Sequence, residues 1–373
     1  MRVENSRMIY RGSNELARVY RGDHVIVWEP EIVPYEQLYF TLEVVGSGGT
    51  GEFVFATEVT GMSQDIEFSI NDGQWKHFLS ASTADKTVSF GDKVRVRNIA
   101  NRYGGIAAGV GYCSKIKISG LDYKVYGNVM SLLYGDNFQN VFVFPSEEYL
   151  FYELFYGETG LTDASKLWLP DDVKSGCYSS MFEGCTSLVN APALPATSLA
   201  GVCYASMFEG CTSLVNAPAL PATSLGEACY LDMFKDCTSL VNAPALPATA
   251  LTGGCYIYMF WNCTSLINAP VLPATSLANS CYHSMFWNCT SLVNAPELPA
   301  ATLEELCYAY MFHNCGNLNY IKCLAIDITA HNSTIGWVSG VSRTGTFVKS
   351  PNMSSWTTGD DGTPNGWTIV DAV

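Results

Sequence analysis

Six cysteines, Cys177, Cys203, Cys229, Cys255, Cys281 and Cys307, stand 26 residues apart, and a second series follows each of them eight residues later: Cys185, Cys211, Cys237, Cys263, Cys289 and Cys315. Between these marks runs the phrase LVNAPALPATSL (188–199), copied with few changes four more times. A fixed period of this length constrains the fold more than composition can. Each copy is one supersecondary unit that cannot bury its apolar face alone, and stacking the copies buries it. The expected product is a solenoid, whose long surface suits recognition better than chemistry.

Within one copy the fixed residues are Cys177, Tyr178, Met181, Phe182 and Cys185. Those offsets read as one apolar face of a short helical or 3₁₀ segment. Leu188, Ala191 and Leu194 continue the inward set through a short extended stretch, which Pro192 and Pro195 limit by removing ladder donors. Leu199 closes the coil. The repeat-locked cysteines read as buried thiols, because free Cys is among the most buried residue types. Copies stacked about 4.8 Å apart would nevertheless allow vertical disulfides. No C-x-x-C pair or histidine partner accompanies the spacing, so no metal is expected there.

The repeats divide the rest of the chain. Residues 1–34 repeat Tyr-Arg-Gly at 10–12 and 20–22 among alternating runs, and read as a β arm or hairpin followed by a linker at Pro30 and Pro34. Residues 35–128 carry short, partly alternating segments at 38–45, 52–56, 66–70, 75–79, 87–90, 93–97 and 115–118, separated by turn signals. Seven such segments predict an all-β, sandwich-like domain. Residues 129–320 form the repeat region, with 129–176 as lead-in and degenerate cap repeat. The tail, 321–373, rich in Gly, Ser, Thr and Trp, is expected to cap the open end. The fold class is therefore mixed and β-rich: a sandwich-like module, a solenoid of 26-residue repeats and a C-terminal cap.

Charge narrows the partners. The chain has 35 acidic against 20 basic residues, a formal net charge of −15, with no Lys/Arg cluster. Nucleic acid and anionic lipid both demand a basic face and are excluded as expected partners. No run approaches the roughly 18 apolar residues of a membrane span. Residues 1–10 lack an apolar core, so no signal peptide is expected.

Catalytic patterns are missing. The five histidines, His24, His77, His283, His313 and His331, are scattered, and only His283 and His313 are expected to approach each other. No base accompanies the cysteines in a nucleophile pattern, and no Gly-rich loop opens a helix in a phosphate-cradling context. Asp23, Asp92 and Asp136 read as turn residues rather than a calcium site. The sequence predicts neither an enzyme nor a cofactor.

The phrase Met-Phe-x-x-Cys-Thr-Ser-Leu-x-x-Ala-Pro-x-Leu-Pro-Ala-Thr-x-Leu resembles the BspA-type leucine-rich repeat, over roughly residues 150–320. The flanks at 127–138 and 345–369 are also similar to segments that accompany such repeats. The resemblance implies a surface protein of gut Bacteroidales, related bacteria or some protists, with similar modules in phages of those bacteria, acting in adhesion and host or partner binding at a virion, extracellular or cell-surface location. The absent signal sequence departs from that pattern.

Because the fixed positions are inward, the changing ones should face out. At the four expected outward sites the early copies are small or acidic: Ser179, Ser180, Glu183 and Gly184, then Ala205, Ser206, Glu209 and Gly210. The last three copies instead place Tyr258, Trp261, His283, Trp287, Tyr310 and His313 there. Exposed aromatic patches mark contacts, and Trp and Tyr dominate binding hot spots. These six are the candidate ligand-binding residues. Their rings suit the C–H faces of a pyranose, with the Asn side chains hydrogen-bonding its hydroxyls. Three readings stay open: a surface for a cell-surface glycan or protein, a homo-oligomer or interdomain contact (with the tail or another subunit), and incidental variation. The function expected is non-enzymatic recognition or adhesion, with structural assembly of a virion as the alternative.

Overall fold

The structure, a computed structural model, describes residues 34–373 apart from 47, 58–65, 100–113, 142–143 and 146–147, and the backbone of three strands before residue 34. Those strands, β1 (Ser6–Ile9), β2 (Leu16–Arg21) and β3 (His24–Pro30), form an antiparallel sheet in chain order. Asp23 lies outside the described residues.

Short alternating segments then build two sheets. The strands are β4 (Phe40–Val44), β5 (Thr50–Thr57), β6 (Ile66–Ile70), β7 (Lys76–His77), β8 (Thr87–Ser89), β9 (Lys93–Asn98), β10 (Ser114–Ser119), β11 (Tyr123–Asn128) and β12 (Leu161–Trp168). One sheet has the order β12-β11-β4-β9-β6-β7, the other β10-β5-β8. In β9 and β10 every second residue is buried, the period-2 pattern of a half-covered strand. Phe53 of β5 meets Phe68 of β6 at 5.2 Å and Phe78 at 5.6 Å, so aromatic side chains join the two sheets. Two strands are absent from the sequence reading: β11, and β12, which pairs parallel to it. Only two α-helical turns, α1 (Thr83–Lys86) and α2 (Ser131–Tyr134), interrupt this β-rich plan among the described residues.

Residues 177–185 do not form the expected helical segment. Even-numbered residues donate to the next repeat: Tyr178 to the Cys203 carbonyl at 3.0 Å, Ser180 to Ala205 at 2.8 Å, Phe182 to Met207 at 3.0 Å and Gly184 to Glu209 at 2.7 Å. Odd-numbered residues donate three back, Met181 to Tyr178 and Glu183 to Ser180, both at 3.2 Å. The backbone thus spends alternate donors within and between repeats, which no helix does. Left-handed φ values at Gly176, Ser180 and Gly184 set this four-residue period, and recur in later repeats, as at Asp232 and Asp236 or Tyr258 and Asn262. A left-handed residue at every fourth position terminates a helix before it starts.

The inward side chains stack into columns. Tyr178, Tyr204, Tyr230, Tyr256, Tyr282 and Tyr308 follow one another at 5.7–6.1 Å. A phenylalanine column starts at Phe40 of β4 and passes through Phe155, Phe182, Phe208, Phe234, Phe260 and Phe286 to Phe312. The β-sheets and the repeat array therefore share one core. The thirteen described cysteines are free and buried. Those of the second series also donate S–H to a phenylalanine carbonyl one repeat back, as Cys211 does to Phe182 at 3.1 Å, so the thiol satisfies a backbone acceptor as well as filling space. Burial pushes their thiols up, Cys315 to about 12, which leaves them protonated and unreactive.

In 192–197 burial alternates residue by residue: Pro192, Leu194 and Ala196 point in, while Ala191, expected inward, is only half-buried. The stacking continues past the recognisable repeats. Tyr149, Glu153 and Gly157 at one end, and Asn332, Gly336 and Gly340 at the other, repeat the left-handed pattern; the first three donate to Ser175, Ser179 and Glu183, and the carbonyls of His331, Ser333, Ile335, Trp337 and Ser339 accept from the last repeat. Beyond, β13 (Tyr320–Cys323), β14 (Thr346–Lys349) and β15 (Thr368–Asp371) form a parallel sheet. The buried Trp337 lies against both Tyr308 and Phe312 and stacks with Trp356 at 5.5 Å, ending both columns in one indole.

Candidate binding surface

The turn ribbon decides which side chains leave the core. Of the four sites expected outward in each repeat, the first two are not uniformly so: Ser284 and Ala309 are fully buried, and Ser179 and Ser180 are nearly so. The ribbon lies flat against its neighbours, so a small side chain beside large ones is covered. Ser284, flanked in its column by Tyr258 and Tyr310, has a buried hydroxyl with no partner. The third site, 183 and its equivalents, reaches the surface in every copy from Glu183 to His313.

The fourth site has a conformational explanation. Gly184, Gly210, Asp236, Asn262, Asn288 and Asn314 all have φ between 58° and 72°. Gly, Asn and Asp are the residues that tolerate this region. The Asn side chains also bond along the array: Asn262 Nδ2 donates to Asp236 Oδ1 at 2.7 Å and Asn288 Nδ2 to Asn262 Oδ1 at 2.6 Å. These bonds brace the array along its length.

The six predicted aromatic and imidazole side chains come together. Tyr258 touches Trp261 at 4.8 Å and His283 at 5.3 Å. Trp261 stacks on Trp287 at 5.0 Å, and Trp287 meets Tyr310 at 5.4 Å and His313 at 4.1 Å. All six are half-buried and form one continuous ridge. His283 and His313 both pack against Tyr310, each at 5.9 Å. Their Nδ1 atoms are buried without a partner, and burial holds the His283 imidazole below its ordinary pKa and hence neutral.

Geometry limits what the ridge can grip. Trp261 lies between the Lys235 ammonium, 5.8 Å from its ring centre, and Trp287. Trp287 lies between Trp261 and His313. With centroids 5.0 Å apart, no sugar ring fits between the two indoles. The ridge offers edges and tilted flanks, a surface for apolar groups rather than for face-stacked pyranoses.

Lys235 was missed as a site residue. It pairs with Glu209 at 2.7 Å and lies 3.7 Å from Asp232. Burial opposes its charge, but these carboxylates outweigh that and hold its pKa above the usual lysine value. Burial, with Glu209 and Glu183 adding to it, pushes the Asp232 carboxyl up to about 6. Burial likewise raises Glu183, and neighbouring Glu209 and Glu153 reinforce the shift. The one sequence signal was a lone basic residue following Glu183 and Glu209 in its column.

A second concavity, of about 480 Å³, lies where the turns after β4 and β10 meet residues 157–160. Its buried carboxylate, Glu158, is already held by Lys117 at 3.2 Å. Among the described residues no His/Cys/Asp/Glu cluster could hold a metal, and no helix is long and apolar enough to cross a membrane. Comparison with known proteins finds no matching family model, no matching curated protein and no matching solved structure.

Proposed function

We propose that this protein is a non-enzymatic recognition protein: a leucine-rich-repeat solenoid of BspA type that binds a cell-surface partner, as a component of a virion or of a bacterial surface. The observation that carries the reading is the joining of Tyr258, Trp261, His283, Trp287, Tyr310 and His313, from three successive repeats, into one half-buried ridge. The covered faces of the two indoles favour a protein partner over a glycan. Binding of the purified protein to a panel of intact gut anaerobes tests it. Strain-selective binding is expected, and its loss in a folded Tyr258→Ala/Trp261→Ala/Trp287→Ala variant. Equal binding by both proteins would remove the ridge from the function.

Assembly is the second reading, favoured by a different face. Val189, Val215, Ile267 and Val293 occupy one column, each 38–51% exposed. A stripe of β-branched side chains at successive coils suits side-by-side packing of copies. Light scattering on the wild type and a Val215→Lys/Ile267→Lys variant decides it: a defined oligomer that the variant dissolves supports assembly, and a monomer in both discards it.

A further inference from the structure

The outer face of the array changes character along its length. In the column ending in the two tryptophans and His313, the residues are Tyr156, Glu183, Glu209 and Lys235 before Trp261. Glu153 and Asp232 lie beside it. An acidic block thus runs directly into the aromatic ridge. Its carboxylates lie close together: beyond the effect of burial, Glu209 and Glu153 add to the raising of Glu183, and Glu209 and Glu183 to that of Asp232.

Two lysines of the chain itself already occupy this combination. Lys235 pairs with Glu209 and lies over the Trp261 ring. At the far end Lys115 pairs with Glu153 at 3.6 Å and lies 4.6 Å over the Tyr156 ring. Each cation bridges a carboxylate and an aromatic face. Between them, among the described residues, Glu183 has no ion pair of its own, and past Trp261 the ridge carries no Lys or Arg. Two internal lysines leave the block net negative, within a chain of net charge −15.

We propose that the partner of this face is a basic, extended protein segment, with Lys or Arg side chains set against Glu183, Glu209 and Asp232 and apolar side chains lying along the Trp261–Trp287–Tyr310 edge. This rests on the recognition reading above. Charge selects this occupant over a second copy of the chain. Two copies paired in parallel on this face set carboxylate against carboxylate, and an antiparallel pair sets carboxylates against aromatic rings. A cationic amphipathic segment meets both halves: ion pairs on one, apolar contact on the other.

The test uses the full-length protein and three fluorescent twelve-residue peptides of alternating Leu with Arg, Glu or Ser, read by anisotropy. The Arg peptide should bind, with an affinity that falls as salt rises. Glu183→Gln/Glu209→Gln should weaken it about fivefold to tenfold, while Glu304→Gln/Glu305→Gln, the same charge change elsewhere, should alter it less than about twofold. Lys235→Met should tighten binding, by removing the internal competitor from Trp261, and Trp261→Ala/Trp287→Ala should abolish it. Equal binding of the three peptides, or equal effects of the two Gln pairs, overturns the proposal. The recognition reading fails separately: it falls if the aromatic variant binds intact cells as the wild type does, and stands if that variant loses the cells while the peptides are not discriminated.

Discussion

The repeats 203–211 and 281–289 have the same interior and opposite exteriors. Cysteine, tyrosine, methionine, phenylalanine and cysteine occupy the same inward positions in both, and all are buried. Outside, Glu209 in one becomes Trp287 in the other, and the covered Ala205 becomes the half-buried His283. Neighbouring side chains in a single turn ribbon thus answer to different demands. The inward ones complete columns that run the length of the array, so a change there is felt by the repeats above and below. The outward ones meet only their nearest counterparts, and two adjoining repeats can differ completely without disturbing the stack.

The largest expected effect tests the interior. Phe234→Ala should cost about 3–5 kcal/mol in chemical denaturation, since the ring is fully buried between Phe208 and Phe260. If it cost no more than an outward substitution, the division between faces would collapse. Trp261→Ala/Trp287→Ala should cost only about 1–2 kcal/mol, the worth of a half-exposed aromatic pair, while removing binding. Asn288→Ala should cost about 1 kcal/mol and Asn288→Gly much less, because the position needs a left-handed backbone and not an amide ligand. A loss of binding without loss of stability in Asn288→Gly would place that amide in the site.

The smallest effect depends on pH. The Asp232 carboxyl has its pKa raised in the fold, so ionisation there is disfavoured. The cost is absent below about pH 4, grows as pH rises through about 6, and is complete above it. Asp232→Asn, which keeps a residue suited to positive φ, should therefore stabilise the protein at pH 8 by about 0.5–1 kcal/mol after solvent screening, and leave it unchanged at pH 4. Melting curves at the two pH values check the sign.

Much of this was legible in the repeat itself. Invariance marked Cys177, Tyr178, Met181, Phe182, Cys185 and Leu188 as inward, and variation marked the six residues that the structure gathers into a ridge. The local conformation was not legible from apolar spacing, because offsets of 0, 1, 4, 5 and 8 fit a helix nearly as well as a four-residue ribbon. The deciding signal was elsewhere: Gly, Asp or Asn at every equivalent of 184, a demand of the backbone and not of the surface. The coil at 332–340 was hidden because Trp337 reaches both aromatic columns at once and so erases the Tyr and Phe signature. Lys235 was overlooked because its role depends on a ring one repeat away.

The alternate backbone bonds that tie each repeat to the next have a mechanical meaning. Tyr178, Ser180, Phe182 and Gly184 all donate across one junction, and the next junction repeats the set. A pull along the array loads these junctions in series, so each bears the full force and they should give way singly. Every rupture would free 26 residues, about 90 Å of extended chain. Under load the protein would then lengthen by near-equal steps and keep its remaining coils intact.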